Sequence, residues 1–222
     1  MSRKHEALTA LVFMGLSSLP AISQKAYQAA APSPRITISV HDYADVAPLR
    51  LAAAQLDARR IFEQAGLETV WLSCSPKLEK TEPEGCSLVD STHLVLKILP
   101  AKTDAHMRDR GDVLGNALLA GDGTGYYAYA FQNHIEILEQ KVGFAVLGYV
   151  LTHEVGHLLL GSNSHAVNGI MSPHWNGAEL RRISEGTLLF LPSESRMLRE
   201  RSGRRGADVP IVTSAKAIAE AN

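Results

Sequence analysis

The sequence has little excess of charge, few aromatic residues and only two cysteines. Its 22 Lys and Arg residues nearly balance 23 Asp and Glu residues, so the formal net charge is -1. Without a basic surplus, nucleic acid is not expected as the main partner. The hydrophobic fraction of 45% excludes a largely disordered chain, and 17 glycines without a three-residue period exclude collagen. What remains is a globular enzyme or binding domain, because 222 residues are enough to bury a core.

The N-terminus has the layout of a secretory signal. Arg3 and Lys4 give a positive start, residues 7–19 are mostly apolar, and residues 21–23 offer small side chains to a signal peptidase. This pattern predicts cleavage after Ser23, with an uncleaved N-terminal anchor as the alternative. The apolar run is short for a membrane span. We therefore expect a secreted or periplasmic protein, monomeric and without a membrane segment after cleavage.

The two cysteines fit an exported protein. Cys74 and Cys86 are 12 positions apart, and the segment between them carries proline, glycine and several charges, which indicates an exposed loop. In an oxidising compartment a disulfide would close this loop and stabilise the fold by about 2–3 kcal/mol. Free thiols and metal ligands are the alternatives, but no close CxxC spacing supports metal binding.

The order of predicted elements indicates an α/β domain. We expect a signal peptide at 1–23, a linker at 24–34, the domain at 35–202 and a flexible tail at 203–222. Hydrophobic periodicity predicts strands at 35–40, 70–72, 93–99 and 125–131, and helices at 45–65, 142–160, 178–183 and 193–201. Strands interleaved with helices are typical of a layered α/β fold.

The most informative segment is HEVGH, residues 153–157, within the predicted helix 142–160. His153 and His157 are one helical turn apart, so both rings can reach one point. A Zn²⁺ ion at that point would accept a nitrogen from each ring. Glu154 is then placed to take a proton from a water molecule that the metal activates.

The motif alone is weak, because HExxH recurs by chance on solvent-exposed helices. Its surroundings favour the metal interpretation, since residues 142–160 are apolar almost all round and such a helix is expected to be buried. Burying two imidazoles and a carboxylate without partners would cost several kcal/mol. A membrane span is the other interpretation of an apolar helix, but His and Glu inside it would be expensive.

The residues after the motif provide a third imidazole. Gly161 can end the helix, His165 follows, and Met171 stands within GIMSP at 169–173. At these residues the sequence resembles the metzincin metallopeptidases, whose signature is H-E-x-x-H-x-x-G-x-x-H followed by a methionine-containing turn.

The match departs from that signature in the spacing of the third ligand. Gly161 is eight and His165 twelve positions after His153, so the turn carries two extra residues. His165 can still reach the metal, because the turn is rich in residues that allow sharp bends. His174 and Glu179 are the alternative third ligands, the latter in the manner of thermolysin.

The resemblance implies a zincin-like single domain with a twisted mixed sheet, an active-site helix and a C-terminal helical part. It further implies a zinc-dependent endopeptidase in which His153, His157 and His165 hold Zn²⁺ and Glu154 is the general base. The strand at 125–131 takes the place of the family's edge strand, to which a peptide substrate adds as an extended strand.

Two other functions remain open. The chain could be an exported zinc-binding module without turnover, in which a fourth protein group such as His174 saturates the metal. It could also hydrolyse a non-protein amide by the same chemistry. The substrate itself does not follow from the motif.

Overall fold

The structure is a computed structural model that describes residues 35–74, 85–86, 88–100 and 113–207. The strands are β1 Arg35–Asp42, β2 Glu68–Cys74, β3 His93–Leu99, β4 Gly115–Leu118 and β5 Tyr127–Phe131. The helices are α1 Pro48–Gln64, α2 Gln132–Val142, α3 Leu147–Leu160, α4 Gly177–Ser184 and α5 Pro192–Ala207. The predicted signal peptide and linker, and the end of the predicted tail from 208 to 222, lie outside the described residues.

The five strands form one mixed sheet in the order β2-β1-β3-β5-β4. All neighbours are parallel except β4, which pairs antiparallel with β5. Parallel neighbours need a crossover, and α1 supplies the one between β1 and β2. Ile36, Ile38 and Val40 of β1 are fully buried, as expected for an interior strand of a covered sheet. The predicted α/β class with a mixed sheet is confirmed.

The start of α1 differs from the prediction, which had Asp45 as the helix cap. The helix begins at Pro48, and its N-cap residue Ala47 makes no side-chain cap bond. The carboxylate of Asp42 instead accepts hydrogen bonds from the backbone N–H groups of Ala44 and Val46, at 2.9 and 2.8 Å. An aspartate at the end of β1 thus orders the turn into α1, a role that the local pattern of Asp45 and Pro48 obscured.

The edge strand next to the motif helix is not the one that the sequence indicated. Residues 125–131 were predicted to form an edge strand, but β5 lies between β3 and β4, and the two edges of the sheet are β4 and β2. Gly115 of β4 is paired with Ala130 of β5. The prediction missed β4 because a four-residue strand has no room for an alternating pattern; its conformation depends on pairing with β5.

The motif helix begins later than the predicted range 142–160. Val142 is the last residue of α2, a helix that the sequence analysis missed, and Gly143 after it has the left-handed φ of 78° that favours glycine. Helix α3 begins only at Leu147, where the Glu139 carboxylate accepts hydrogen bonds from the N–H groups of Val146 and Leu147. None of the described helices is long and apolar enough to span a bilayer.

The predicted domain boundary at residue 202 lies inside a helix. Helix α5 continues to Ala207, and the Arg205 guanidinium donates hydrogen bonds to the carbonyls of Leu158, Gly125 and Ser91 at 2.8, 3.2 and 3.3 Å. The same group lies over the ring of Tyr126. The Gly- and Arg-rich composition hid this contact, and residues 203–207 belong to the domain.

The predicted disulfide is present. Cys74 at the end of β2 is bonded to Cys86, with 5.8 Å between their Cα atoms. The imidazole Nε2 of His41 is 3.1 Å from the Cys86 carbonyl oxygen, so β1 holds the far end of the loop as well. This bond excludes the free-thiol and metal-ligand alternatives for the two cysteines.

Replacing Arg205 with Met is expected to lower the free energy of unfolding by about 1–3 kcal/mol, because partly buried carbonyl groups lose their donor. Arg204→Met is the matched control, since Arg204 is exposed on the same helix. Urea denaturation of both variants measures the difference. Equal effects of the two substitutions would contradict the role of Arg205.

Candidate metal centre

Helix α3 is buried in the interior of the domain and bears the central residues of the site. Every residue from Leu147 to Leu159 is buried. The helix ends at Gly161, whose φ of 61° is left-handed and turns the chain back over the helix. Met171 lies beneath the site and is 1% exposed, with its sulfur 2.8 Å from the position that a Cβ on Gly156 would take. Met171 therefore packs as an apolar floor against α3.

The rings of His153 and His157 are aimed by backbone carbonyls. Nδ1 of His153 is 2.7 Å from the carbonyl oxygen of Ile170, and Nδ1 of His157 is 2.7 Å from that of Ser162. A carbonyl only accepts, so each Nδ1 is the protonated nitrogen of its ring. In a neutral imidazole the other nitrogen then carries a lone pair. The two Nε2 atoms therefore turn their lone pairs toward one another, 3.0 Å apart.

His165 completes a cluster of three imidazoles. Its ring centroid is 5.4 Å from that of His153 and 4.9 Å from that of His157. One nitrogen from each ring lies within 4.8 Å of the others, as needed to hold one metal ion. The loop that carries His165 is closed by a hydrogen bond from Ala166 N–H to the carbonyl of Met171, at 2.9 Å. The chain after Gly161 thus places His165 beside the other two rings.

The electrostatics of the cluster keep the three rings neutral. Burial lowers the pKa of His153 to about 3, with a further lowering from His157. Burial also lowers the pKa values of His157 and His165. At neutral pH the rings therefore present lone pairs and no charge, which is the form that binds a metal.

These residues fit a zinc ion. Nitrogen ligands at about 2.0–2.1 Å from a tetrahedral Zn²⁺ lie about 3.3 Å from one another, close to the 3.0 Å that separates the Nε2 atoms of His153 and His157. Two lone pairs at this distance repel unless a cation lies between them. The backbone bonds at Nδ1 are the outer contacts that usually orient histidine ligands.

Glu154 lies beside the cluster in a space that β4 leaves open. Its side chain is 5% exposed, and burial raises the pKa of its carboxyl to about 8. A Cβ on Gly115 would lie 2.5 Å from Oε1 of Glu154. Gly115 is therefore the residue that makes room for the carboxylate, and the sequence analysis missed it because β4 itself was not predicted.

Neither of the two alternative third ligands belongs to the cluster of His153, His157 and His165. The Glu179 carboxylate forms a capping box at the start of α4, where its Oε2 is 3.3 Å from the Asn176 backbone nitrogen. His174 is exposed and lowers the pKa of His165 electrostatically, but it is outside the cluster of possible metal-binding groups found among the described residues. The geometry favours His165.

The cluster opens into a cleft of about 760 Å³. Its walls come from β4, from one face of α2, and from the segment 172–175 that follows Met171. Four residues of α2 line this cleft, among them His134 and Lys141. Sequence analysis gave neither a role, since only the tertiary structure brings α2 against the motif helix.

Comparison with known proteins gives a likeness of fold only. No protein-family model and no curated protein sequence matches the chain. Among solved structures it is similar to archaemetzincin from Methanopyrus kandleri, at 14% identity and a TM-score of 0.48 over 79% of this chain and 99% of that one. It is also similar to a zinc-dependent peptidase from Methanocorpusculum labreanum, at 16% identity and a TM-score of 0.48 over 72% of this chain and 99% of that one. Likeness at this level leaves the function to be argued from the site.

Replacing Gly115 with Ala is expected to destabilise the fold by about 1–3 kcal/mol, because the new methyl group overlaps the buried Glu154 side chain. Gly121→Ala is the matched control, since a Cβ there would meet no atom within 4 Å. Thermal and urea unfolding compare the two variants. A Gly115→Ala protein as stable as the control would show that Glu154 has space to move.

Proposed function

We propose that the chain is a zinc-dependent peptidase that acts outside the cytoplasm. The observation that carries the proposal is the pair of Nε2 lone pairs of His153 and His157, aimed at one point and joined there by His165. A buried carboxylate and an open cleft adjoin this point. A purely structural metal site is normally closed by four protein ligands, whereas this cluster has three among the described residues.

His153, His157 and His165 would hold the zinc ion. When bound, zinc polarises a peptide carbonyl and lowers the pKa of water toward about 7. Glu154 would accept a proton from the attacking water and deliver it to the leaving amine. Burial raises the pKa of its carboxyl, which is the direction that makes a carboxylate a stronger base.

The substrate would lie along β4. Among the described strands β4 has a neighbour on one side only, and Gly115 at its start is beside Glu154. An extended peptide can pair with such an exposed edge through its backbone. Strand β4 is therefore the proposed binding edge. It takes the place of the predicted strand at 125–131, which is already paired with β4.

Export is proposed from two independent features. The N-terminal pattern is typical of a cleaved signal, and the Cys74–Cys86 disulfide is of the kind that persists in oxidising compartments. Both support a secreted or periplasmic location.

Replacing Glu154 with Gln tests the assignment of the general base. The variant is expected to retain one zinc per chain, because the three histidines remain, while its kcat for peptide cleavage falls about 10²- to 10⁴-fold. Glu200→Gln, at an exposed position of α5, is the control. Metal analysis and a peptide-library cleavage assay, with and without chelator, give the two readouts.

The same assay separates the peptidase from a non-catalytic zinc module. Zinc bound without chelator-sensitive cleavage of any peptide by the unmodified protein would favour the binding module. Full cleavage by a clean Glu154→Gln preparation would refute the role of Glu154.

Replacing His165 with Ala is expected to weaken zinc affinity more than about 100-fold, because a direct ligand contributes more than the outer contacts of a metal site. His174→Ala and Glu179→Ala test the two alternatives and are expected to leave the affinity nearly unchanged. Competition with a chromogenic chelator measures all three. If either of the latter variants loses more zinc affinity than His165→Ala, the residue replaced in it is the third ligand.

A further inference from the structure

One face of α2 forms a wall of the cleft. Along this face apolar side chains are followed by a positive charge. Its four cleft-lining residues are His134, Ile137, Leu138 and Lys141, at the spacing of one helical face. The two middle residues are apolar, and Ile137 is 48% exposed although it is a large hydrophobic side chain. The last is a lysine. An apolar surface that ends in a cation is thus presented beside the metal centre.

The wall is fixed at both ends. At its start, Nδ1 of His134 is 2.7 Å from the carbonyl oxygen of Val113, next to β4. Near its end, Glu139 bonds to the start of α3 and forms an ion pair with Arg50, with 2.6 Å between the charged groups. Lys141 is therefore carried by a helix held against both the strand edge and the motif helix.

Lys141 is not neutralised by a described carboxylate. The two acids nearest to it on α2, Glu136 and Glu139, face Arg50, at 3.7 and 2.6 Å. Among the described residues that line the cleft, the only acidic one is Glu154, which is buried beside the histidines. The exposed ammonium group of Lys141 is thus available to a negative charge on a bound molecule.

We propose that this cleft selects peptides that have an apolar side chain close to the scissile bond and a carboxylate one or two residues beyond it. Ile137 and Leu138 are three to four residues from Lys141, which corresponds to about 4.5–6 Å along the helix. An extended peptide advances about 3.3 Å per residue, so the apolar group and the carboxylate match this separation at one or two residues.

The carboxylate can come from two sources. It can be an Asp or Glu side chain within a longer peptide, or the C-terminal carboxylate of the substrate itself. Both offer the same charge to Lys141. The selectivity rests on the proposed peptidase function, but the attraction between Lys141 and a carboxylate can be measured without turnover.

The test uses sets of peptides that differ at one group: Glu against Gln within the chain, and a free C-terminal carboxylate against a C-terminal amide. The zinc-loaded protein is compared with Lys141→Glu and with Arg196→Glu, an equal change of charge at an exposed position of α5 outside the cleft. We expect the unmodified protein and Arg196→Glu to favour the carboxylate member about three- to tenfold in kcat/KM, less so at high salt, and Lys141→Glu to lose or invert the preference.

Binding of the same peptides to the Glu154→Gln protein, followed by fluorescence anisotropy, supplies a readout that needs no hydrolysis. A preference for the internal Glu or for the free C-terminus identifies the source of the carboxylate. An unchanged ratio in Lys141→Glu, or no carboxylate preference in either assay, overturns the inference. If no peptide is cleaved while binding still depends on Lys141, the peptidase function fails and the preference of Lys141 for a bound carboxylate stands.

Discussion

The geometry of the whole site depends on two hydrogen bonds from imidazole to backbone. The carbonyls of Ile170 and Ser162 bind Nδ1 of His153 and His157, each at 2.7 Å, and thereby direct both Nε2 lone pairs to one point. These carbonyls lie in the chain after α3, so the segment that brings His165 into place also aims the other two rings. The turn at Gly161 and the floor at Met171 are needed for the same reason. Loss of this segment would leave two buried imidazoles unoriented.

The second constraint is the short edge strand β4. It places a glycine where any larger residue would overlap Glu154, and it leaves one side open for an extended ligand. Helix α2 then faces this edge and adds Ile137, Leu138 and Lys141 to the cleft. The histidine cluster is the basis of the proposed chemistry, whereas β4 and α2 line the cleft that leads to it. The two parts of the site thus have separate structural origins.

Much of the fold could be predicted where hydrophobic periodicity was strong. Strand β3 was predicted with its observed bounds, and helix α1 was predicted to within a few residues, because both pack apolar side chains at regular spacing. The failures share another cause. Strand β4, helix α2 and residues 203–207 have little apolar pattern of their own, and their conformations are supported by partners distant in sequence, such as β5 for β4 and the Leu158 carbonyl for Arg205.

The sequence alone gave the motif, its placement on a buried helix and the three histidines as candidate ligands, and it predicted the cysteine pairing that the structure shows. These follow from local spacing, since a helical turn sets His153 and His157 on one side and a glycine must end α3. Only the tertiary structure decided that His165 joins them, that Glu179 caps a helix instead, and that β4 and α2 line the cleft. Those outcomes depend on contacts between segments far apart in the chain, which no local pattern of side chains encodes.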